Sequence, residues 1–512
     1  MSLPDDDTRS VDTEPENRGT ASLRRTVVRG VGVVAGGQLL TQVLTFGTYI
    51  ALARLAPPHT FGTFAAASIL VTFSSLVVES GMSSALIQRP DRLDEAGATA
   101  FVATALGGAF FTLLSLAAAP LIGWYFGSRE VGEIALASSA THFITSLGVV
   151  PNALLQREFA FVRRLVVEPG AVVALAIGSI GGLAAGYGAW GLLLGAYLSV
   201  TVRVTLLWSL CRWRPRLRSA SIHMWRDLAR YGRHILGSEM LREGNRVALT
   251  AVIGRFGGAT QLGQYNFGSR IATQTNALFI VTGASVLFPA FSRIAQEPLR
   301  FRGAFLRALR AVCFVAVPAG LVFLGIGEQF VVVLLGDRWR VAGHVLVALS
   351  GLGLGSALGS VGAEAFKAAG RPEFASRMQL VGAPATVLVV AALLPFGVAA
   401  AAAGVSVATI LIGCYAVSAA CGVLGVERRI VVGEVWPAVC GGLLAAGAAG
   451  GLDRVFLHAA RHGVARGLGA LALEILAASA VYLAALRLTA PGRAAEVFRS
   501  ARDELRPAKP AA

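Results

Sequence analysis

Long apolar runs, each about one bilayer thick, recur along nearly the whole chain, separated by short stretches that carry Gly, Pro, Arg or Asp. A transmembrane helix needs roughly 20 mostly apolar residues. The runs that meet this fall at 27–55, 59–82, 97–126, 131–151, 166–187, 188–211, 231–257, 261–288, 304–326, 341–366, 374–396, 397–424, 433–452 and 465–488. They are continuous instead of alternating at every second residue, which argues against a β-barrel, the other fold that satisfies its backbone inside lipid. The pattern predicts an all-α integral membrane protein of about 14 transmembrane helices.

Two of these runs carry the same marks. At a constant offset of 201 residues Arg29 meets Arg230, Gly36 meets Gly237, Arg54 meets Arg255 and Gly62 meets Gly263. Each copy holds a membrane-length helix with Arg at both ends and the turn that follows it. Repeated multi-helix units in an apolar chain are how many transporters are built, with substrate held between the two halves near the midplane. The expected organisation is a tail at 1–26, a six-helix lobe at 27–211, a linker at 212–228, a second six-helix lobe at 229–426, two additional helices at 427–490 and a tail at 491–512.

The first 26 residues hold Asp5, Asp6, Asp7, Glu14 and Glu16 and almost no large apolar side chains. They lack the basic and apolar regions of a cleaved signal peptide and predict a disordered cytosolic tail ahead of an uncleaved first span. Orientation follows from where Arg and Lys sit in short loops. With the N-terminus inside, the inside connections collect Arg89 and Arg92, then Arg157, Arg163 and Arg164, then Arg212, Arg214, Arg216, Arg218 and Arg226, then Arg293, Arg300, Arg302 and Arg307, then Lys367, Arg371 and Arg377, then Arg428 and Arg429. The outside turns at 187–191 and 257–261 carry no charge. Both termini are expected in the cytoplasm.

Composition narrows the class further. The chain is 55% hydrophobic and 14% charged, with 60 Gly and a mean hydropathy of +0.66, where an average soluble domain is about 25% charged. A net charge of +16 can mark a nucleic-acid partner. Here the Arg residues are spread over the inside loops, where topology and anionic membrane lipids call for them, so no nucleic acid is expected. Cys211, Cys313, Cys414, Cys421 and Cys440 lie in or at the ends of apolar runs without metal-ligand spacing and read as small packing residues.

The longest connection inside the spanning region runs from Arg212 to Arg230. It is basic and amphipathic, with Trp213, Met224 and Trp225, and is suited to lie on the cytoplasmic lipid surface. The stretches LARLAPPHTFGTF (52–64), ESG (79–81) followed by ALIQRPD (85–91), PNALLQREFAF (151–161), IGRFGGATQLGQYNFGSRI (253–271) and LFPAFSRIA (287–295) occur in an order that resembles the Wzx-type oligosaccharide flippases. These belong to the polysaccharide branch of the multidrug/oligosaccharidyl-lipid/polysaccharide superfamily. The resemblance covers about residues 25 to 425, and the last two helices match in number only. It implies a two-lobed bundle alternating between inward-open and outward-open V shapes in the bacterial inner membrane. The implied substrate is an undecaprenyl-diphosphate-linked sugar, and the implied partners are a polysaccharide polymerase and glycosyltransferases.

A carrier of that kind must replace water around diphosphate and hydroxyl groups, and intramembrane ionisable residues usually face such a cavity. In the seventh helix Glu239, Arg242, Glu243, Arg246 and Thr250 follow at i, i+3, i+4, i+7 and i+11, one helical face. The eighth offers Asn266, Arg270, Thr273 and Gln274, and the first Gln38, Gln42, Thr45 and Tyr49. By the 201 offset those four first-helix residues correspond to Glu239, Glu243, Arg246 and Thr250, so the equivalent faces are neutral in one copy and charged in the other. The candidate substrate-binding residues are Arg242, Arg246, Arg270, Glu239, Glu243, Gln274, Gln38, Gln42 and Tyr49. Arg suits a phosphate because its planar fork grips two oxygens. The competing reading pairs Glu239 with Arg242 and Glu243 with Arg246 at i, i+3, a self-neutralised wet seam.

Other marks read more locally. Arg54 and Arg255 are expected to anchor at the interface by snorkelling, Glu79 to cap or pair, His142 to be a hydrogen-bonded packing residue, and Glu364 with Lys367 to form a pair. A cation antiporter of the same superfamily would need a carboxylate in the first helix, which has none. A lipid II flippase is closer in substrate. A membrane polymerase or ligase would carry a large outward loop, and no outward connection exceeds about 15 residues. No nucleophile–base set, P-loop, HExxH run or Cys/His cluster is present, so neither enzyme chemistry, cofactor nor metal is expected.

Overall fold

The computed structural model describes residues 36–88, 91–157, 165–461 and 463–492, and the regular structure among them is helical throughout. The first helix, α1 (Gly36–Leu55), ends at the Pro57–Pro58 pair, where the chain bends by 119° into α2 (Pro58–Ala67). Proline lacks the N–H that would continue α1, and its fixed φ suits the first position of a new helix. Beyond Ser68 comes α3 (Ile69–Gln88), followed by α4 (Leu93–Phe126), α5 (Arg129–Ser138) and α6 (Ala140–Arg157). The hairpin of α7 (Val167–Ala184) and α8 (Ala189–Leu210) completes the part before Cys211.

One long helical run, α9 (Ile222–Ile294), contains both the seventh and the eighth predicted spans. It breaks at Gly258, whose φ of +79° would strain any residue with a Cβ. That break lies inside the uncharged 257–261 turn. The later helices are α10 (Pro298–Leu335), α11 (Arg340–Ala348), α12 (Leu352–Ala368), α13 (Pro372–Leu393), α14 (Val398–Leu424), α15 (Arg428–Leu452) and α16 (Val464–Thr489). Each predicted apolar run falls on helix, although 27–35 lies outside the described residues. Among the described residues ten helical stretches are long and apolar enough to cross a membrane, or eleven with α1 and α2 as one bent span.

The basic connection after Cys211 packs part of its apolar face on the first lobe. Its helix runs straight into α9, and Met224 and Leu228, one turn apart, are buried in a core with Leu86, Ala96, Leu154 and Leu207. Trp213 stacks near Trp208 and stands against Phe101. That part of its apolar face is therefore taken by protein, because the ends of α3, α4, α6 and α8 offer a matching apolar surface, while Arg216, Trp225 and Arg226 stay exposed.

The last two helices are bolted to α10 by polar contacts. Arg310 meets Glu434 of α15 at 2.6 Å, Gln329 donates to Asp453 at 3.0 Å, and the Tyr482 hydroxyl of α16 donates to the Phe314 carbonyl at 2.7 Å. In a lipid environment such bonds carry helix association, since apolar burial alone gains little there.

Candidate functional site

The two copies of the repeat meet at one end of their helices. A Cβ on Gly62 would fall 1.7 Å from the Ala259 carbonyl oxygen, and one on Gly263 would fall 2.0 Å from the Pro58 carbonyl oxygen. Pro58 and Ala259 are themselves 201 residues apart, as are Gly62 and Gly263, so the two approaches are the same contact made reciprocally. Only a residue without a side chain allows backbones this close. At the other end of the same helices Gly36 and Gly237 are exposed, and among the described residues no other element comes within 4 Å of where a Cβ would stand.

Aromatic rings seal the meeting end. Phe267 of α9 lies 4.9 Å from Phe61 of α2 and 4.2 Å from Trp339, centroid to centroid, and Trp339 is fully buried. Its indole N–H donates to the Ala53 carbonyl of α1 at 2.8 Å, which satisfies the one polar atom such burial would otherwise strand. Arg54 donates through Nε to the Leu334 carbonyl at 2.8 Å and through Nη2 to the Val333 carbonyl at 2.6 Å. These belong to the last turn of α10, where the helix leaves carbonyls unpaired and favours a cation. Arg54 thus ties α1 to α10 of the second lobe, which its position alone does not predict. Arg54 and Arg255, its repeat equivalent, are both exposed. Within the second lobe Gln264 donates to the Arg338 carbonyl and accepts from the Ala342 N–H.

Next to this seal is a narrow cleft of about 30 Å³ lined by Gln42, Thr45, Phe46, Tyr49 and Ile50 from α1, Phe267, Arg270, Ile271 and Gln274 from α9, and Leu334 and Leu335. It brings together four of the sequence-predicted residues, Gln42, Tyr49, Arg270 and Gln274. The Arg270 guanidinium lies over the Tyr49 ring at 3.7 Å from its centroid, a cation–π contact worth about 0.5–2 kcal/mol. Tyr49 thereby acts through its ring, where the polar stripe points to its hydroxyl. The Thr45 hydroxyl donates to the Thr41 carbonyl at 2.7 Å, leaving its oxygen to the cleft as an acceptor only.

On the first arm of α9 the expected i, i+3 pair of Glu243 with Arg246 is present, while the Glu239–Arg242 pair falls on a side chain outside the described residues. Glu243 is the hub: its carboxylate meets Arg246 Nη2 at 2.6 Å and Arg242 Nη2 at 3.6 Å. The carboxylate side chain is 13% exposed and both Arg side chains are 64% exposed, so one shielded acid meets two largely exposed guanidinium groups. Gln38 is exposed and, like the Glu243 hub, is not among the residues lining the cleft. The Glu239 and Glu79 side chains lie outside the described residues.

Two local readings hold. His142 is bracketed by Ser74 and by Ser115, the latter at 2.8 Å, as a hydrogen-bonded packing residue. Lys367 meets Glu364 at 2.8 Å. Phe61, Phe267, Trp339 and Gln264 escape sequence reasoning, because apolar rings resemble the rest of the chain and Gln264 lies outside the polar face read from Asn266, Arg270, Thr273 and Gln274. Gly62 and Gly263 are flagged by the repeat, and their pairing is not.

The family described as "Polysaccharide biosynthesis protein" matches residues 51–343. Over 336 residues the chain is 25% identical to the succinoglycan biosynthesis transport protein ExoT of Rhizobium meliloti, covering 64% of this chain and 66% of that protein. It is 24% identical over 345 residues to the lipopolysaccharide biosynthesis protein WzxC of Escherichia coli, covering 66% and 69%. The match to ExoT thus spans just under two thirds of that relative's length. The lipid II flippase MurJ in an inward closed conformation is similar with a TM-score of 0.70 at 15% identity, covering 92% of this chain and 99% of that one. At that identity the likeness is one of fold.

Proposed function

Since the chain belongs to the polysaccharide biosynthesis protein family, we propose that it is a flippase carrying an undecaprenyl-diphosphate-linked oligosaccharide across the bacterial inner membrane for surface or exopolysaccharide synthesis. The observation that carries this reading is the reciprocal Gly62–Ala259 and Gly263–Pro58 closure at one end of the repeat, set against exposed Gly36 and Gly237 at the other. A seam tightly closed at one end and without that close contact at Gly36 and Gly237, between two lobes at 27–211 and 229–426, suits alternating access. With both termini cytoplasmic, the arrangement faces inward.

The exposed guanidinium groups of Arg242 and Arg246, with Arg270 beside Gln42 and Gln274 in the cleft, supply donors for phosphate oxygens and sugar hydroxyls. A cleft of about 30 Å³ holds roughly one water molecule, so no sugar sits at that level in this state. The oligosaccharide would enter nearer the end that holds Gly36 and Gly237 and pass Arg270 after the seal opens. Translocation makes and breaks no covalent bond, so no enzymatic chemistry is asked of the site. The cleft face of α1 offers Gln42, Thr45 and Tyr49 and no carboxylate, which supports this reading over a cation antiporter.

The test is a strain deleted for the gene. It should lose a surface or secreted polysaccharide and accumulate lipid-linked repeat units in the cytoplasmic leaflet, with both defects reversed by the wild-type gene. Normal polymer export in a strain without a redundant relative would sink the proposal.

A further inference from the structure

A buried acidic pair stands outside the repeat. Glu474 of α16 has no exposed surface, and neither of its carboxylate oxygens has a hydrogen-bond partner. Asp453, 5% exposed at the end of α15, opens a turn that packs against α16. Asp453 itself is well supplied: Oδ1 accepts from the Ala459 N–H at 2.8 Å and Oδ2 from Gln329 Nε2 of α10 at 3.0 Å. It opens a π-helical turn, Asp453–Leu457, closed by the His458 N–H on the Asp453 carbonyl at 2.8 Å. Such turns are uncommon and recur at functional positions.

The unequal supply of donors decides where a proton goes. Two neighbouring carboxylates cannot both stay ionised in a low-dielectric setting. Among the described side chains no Lys, Arg or His hydrogen-bonds Glu474; α15 presents Asp453 and α10 the uncharged Gln329. We propose that Glu474 and Asp453 form a proton-binding site. Glu474 takes one proton from water and, as a neutral acid, donates it in a hydrogen bond to the ionised Asp453, whose oxygens have lone pairs to spare. Loss of the proton leaves two adjacent negative charges and no counter-ion.

The site is placed to act on the seal. Gln329 lies one turn before Val333 on α10, and the Val333 carbonyl is the one that Arg54 grips. The Val333 side chain also packs against Gly467, two turns from Glu474 on the same face of α16. Proton release, by repelling α15 from α16 or drawing water between them, loosens the end of α10 that holds the copies together. Proton occupancy therefore favours the closed seal, and this holds whatever substrate the protein carries.

The experiment uses the full-length protein in lipid nanodiscs, followed by infrared spectroscopy over a pH series. A free glutamate titrates at about 4.3. A protonated-carboxyl carbonyl band should persist at about pH 6, be absent in Glu474→Gln and titrate at lower pH by about one unit in Asp453→Asn, a tenfold loss of proton affinity. In a cysteine-free background, labelling of Ala53→Cys by an impermeant maleimide, divided at each pH by the rate at an exposed control cysteine to remove the rise in thiolate, should speed up as pH rises through that titration, and lose this corrected pH dependence in Glu474→Gln. No such band at pH 6, or a band surviving in Glu474→Gln, overturns the site. Unchanged pH dependence of labelling in Glu474→Gln overturns the link to the seal.

Discussion

Gly62 and Gly263 face each other across the seam between the two repeat copies: a Cβ on Gly263 would stand 3.2 Å from the Gly62 backbone nitrogen. The same pair of residues, 201 apart in the chain, gives up its side chains so that Ala259 and Pro58 can approach from opposite sides. The contact maps onto itself under the repeat: each copy brings a glycine to the backbone of the other.

Adding bulk at either glycine should therefore hold the seal open. Gly62→Leu and Gly263→Leu would each drive a side chain into a carbonyl less than 2.1 Å from the new Cβ, and overpacking of this kind costs typically 1–3 kcal/mol. In a cysteine-free background Ala53→Cys, fully buried at the seal, should react with an impermeant maleimide roughly tenfold or more faster once either leucine is present. Equal rates would mean that the glycines do not control closure.

Arg54 and Arg255 are equivalents by sequence and unequal by contact. Both are exposed, and Arg54 caps two carbonyls of α10. A hydrogen bond from a charged group contributes about 1.5–3 kcal/mol when well shielded, and less at an exposed Arg. Arg54→Gln should raise Ala53→Cys labelling severalfold and Arg255→Gln should leave it within about twofold. A larger effect from Arg255 would show that interfacial anchoring, and not the α10 tether, sets the closed state.

Much of the helical plan is legible in the chain because a bilayer imposes one length on every span, so each apolar run and turn stands out, down to the uncharged turn that holds Gly258. The seal is not legible. Phe61, Phe267 and Trp339 resemble any apolar residue of a span, and Gly62 could have met any backbone. The stripe on α9 is visible from its helical spacing, as is the Glu243–Arg246 pair at i, i+3, but spacing alone does not show that Glu243 also meets Arg242. Glu474 and Asp453 lie 21 positions apart on different helices, and only the packing of α10, α15 and α16 makes them neighbours.

Orientation is checked by reporter fusions. Arg and Lys gather on one set of loops, and the positive-inside rule places those in the cytoplasm. Fusions after residues 90, 215, 370 and 505 should read cytoplasmic, and fusions at 128, 189 and 259 periplasmic. A periplasmic reading at 215 would overturn the two-lobe division and place the Gly62–Gly263 seal on the inner side.

The charged stripe offers the sharpest test of substrate contact. Glu243 is 13% exposed, while the Arg242 and Arg246 side chains that it meets are each 64% exposed. Exposed ion pairs are worth about 0–1 kcal/mol, so replacing the Arg residues should cost little stability. The double change Arg242→Gln with Arg246→Gln should keep wild-type abundance in the membrane and lower polysaccharide export by about tenfold or more, an interaction loss of roughly 1.4 kcal/mol. Arg270→Lys keeps the charge but gives up the planar fork over Tyr49, and should fall between wild type and Arg270→Gln. Glu243→Gln should restore nothing when added to the Arg double change. Export at the wild-type rate by the Arg242→Gln, Arg246→Gln and Arg270→Gln proteins, measured per unit of protein in the membrane, would leave the stripe as a self-paired seam and remove these side chains from the path of the diphosphate.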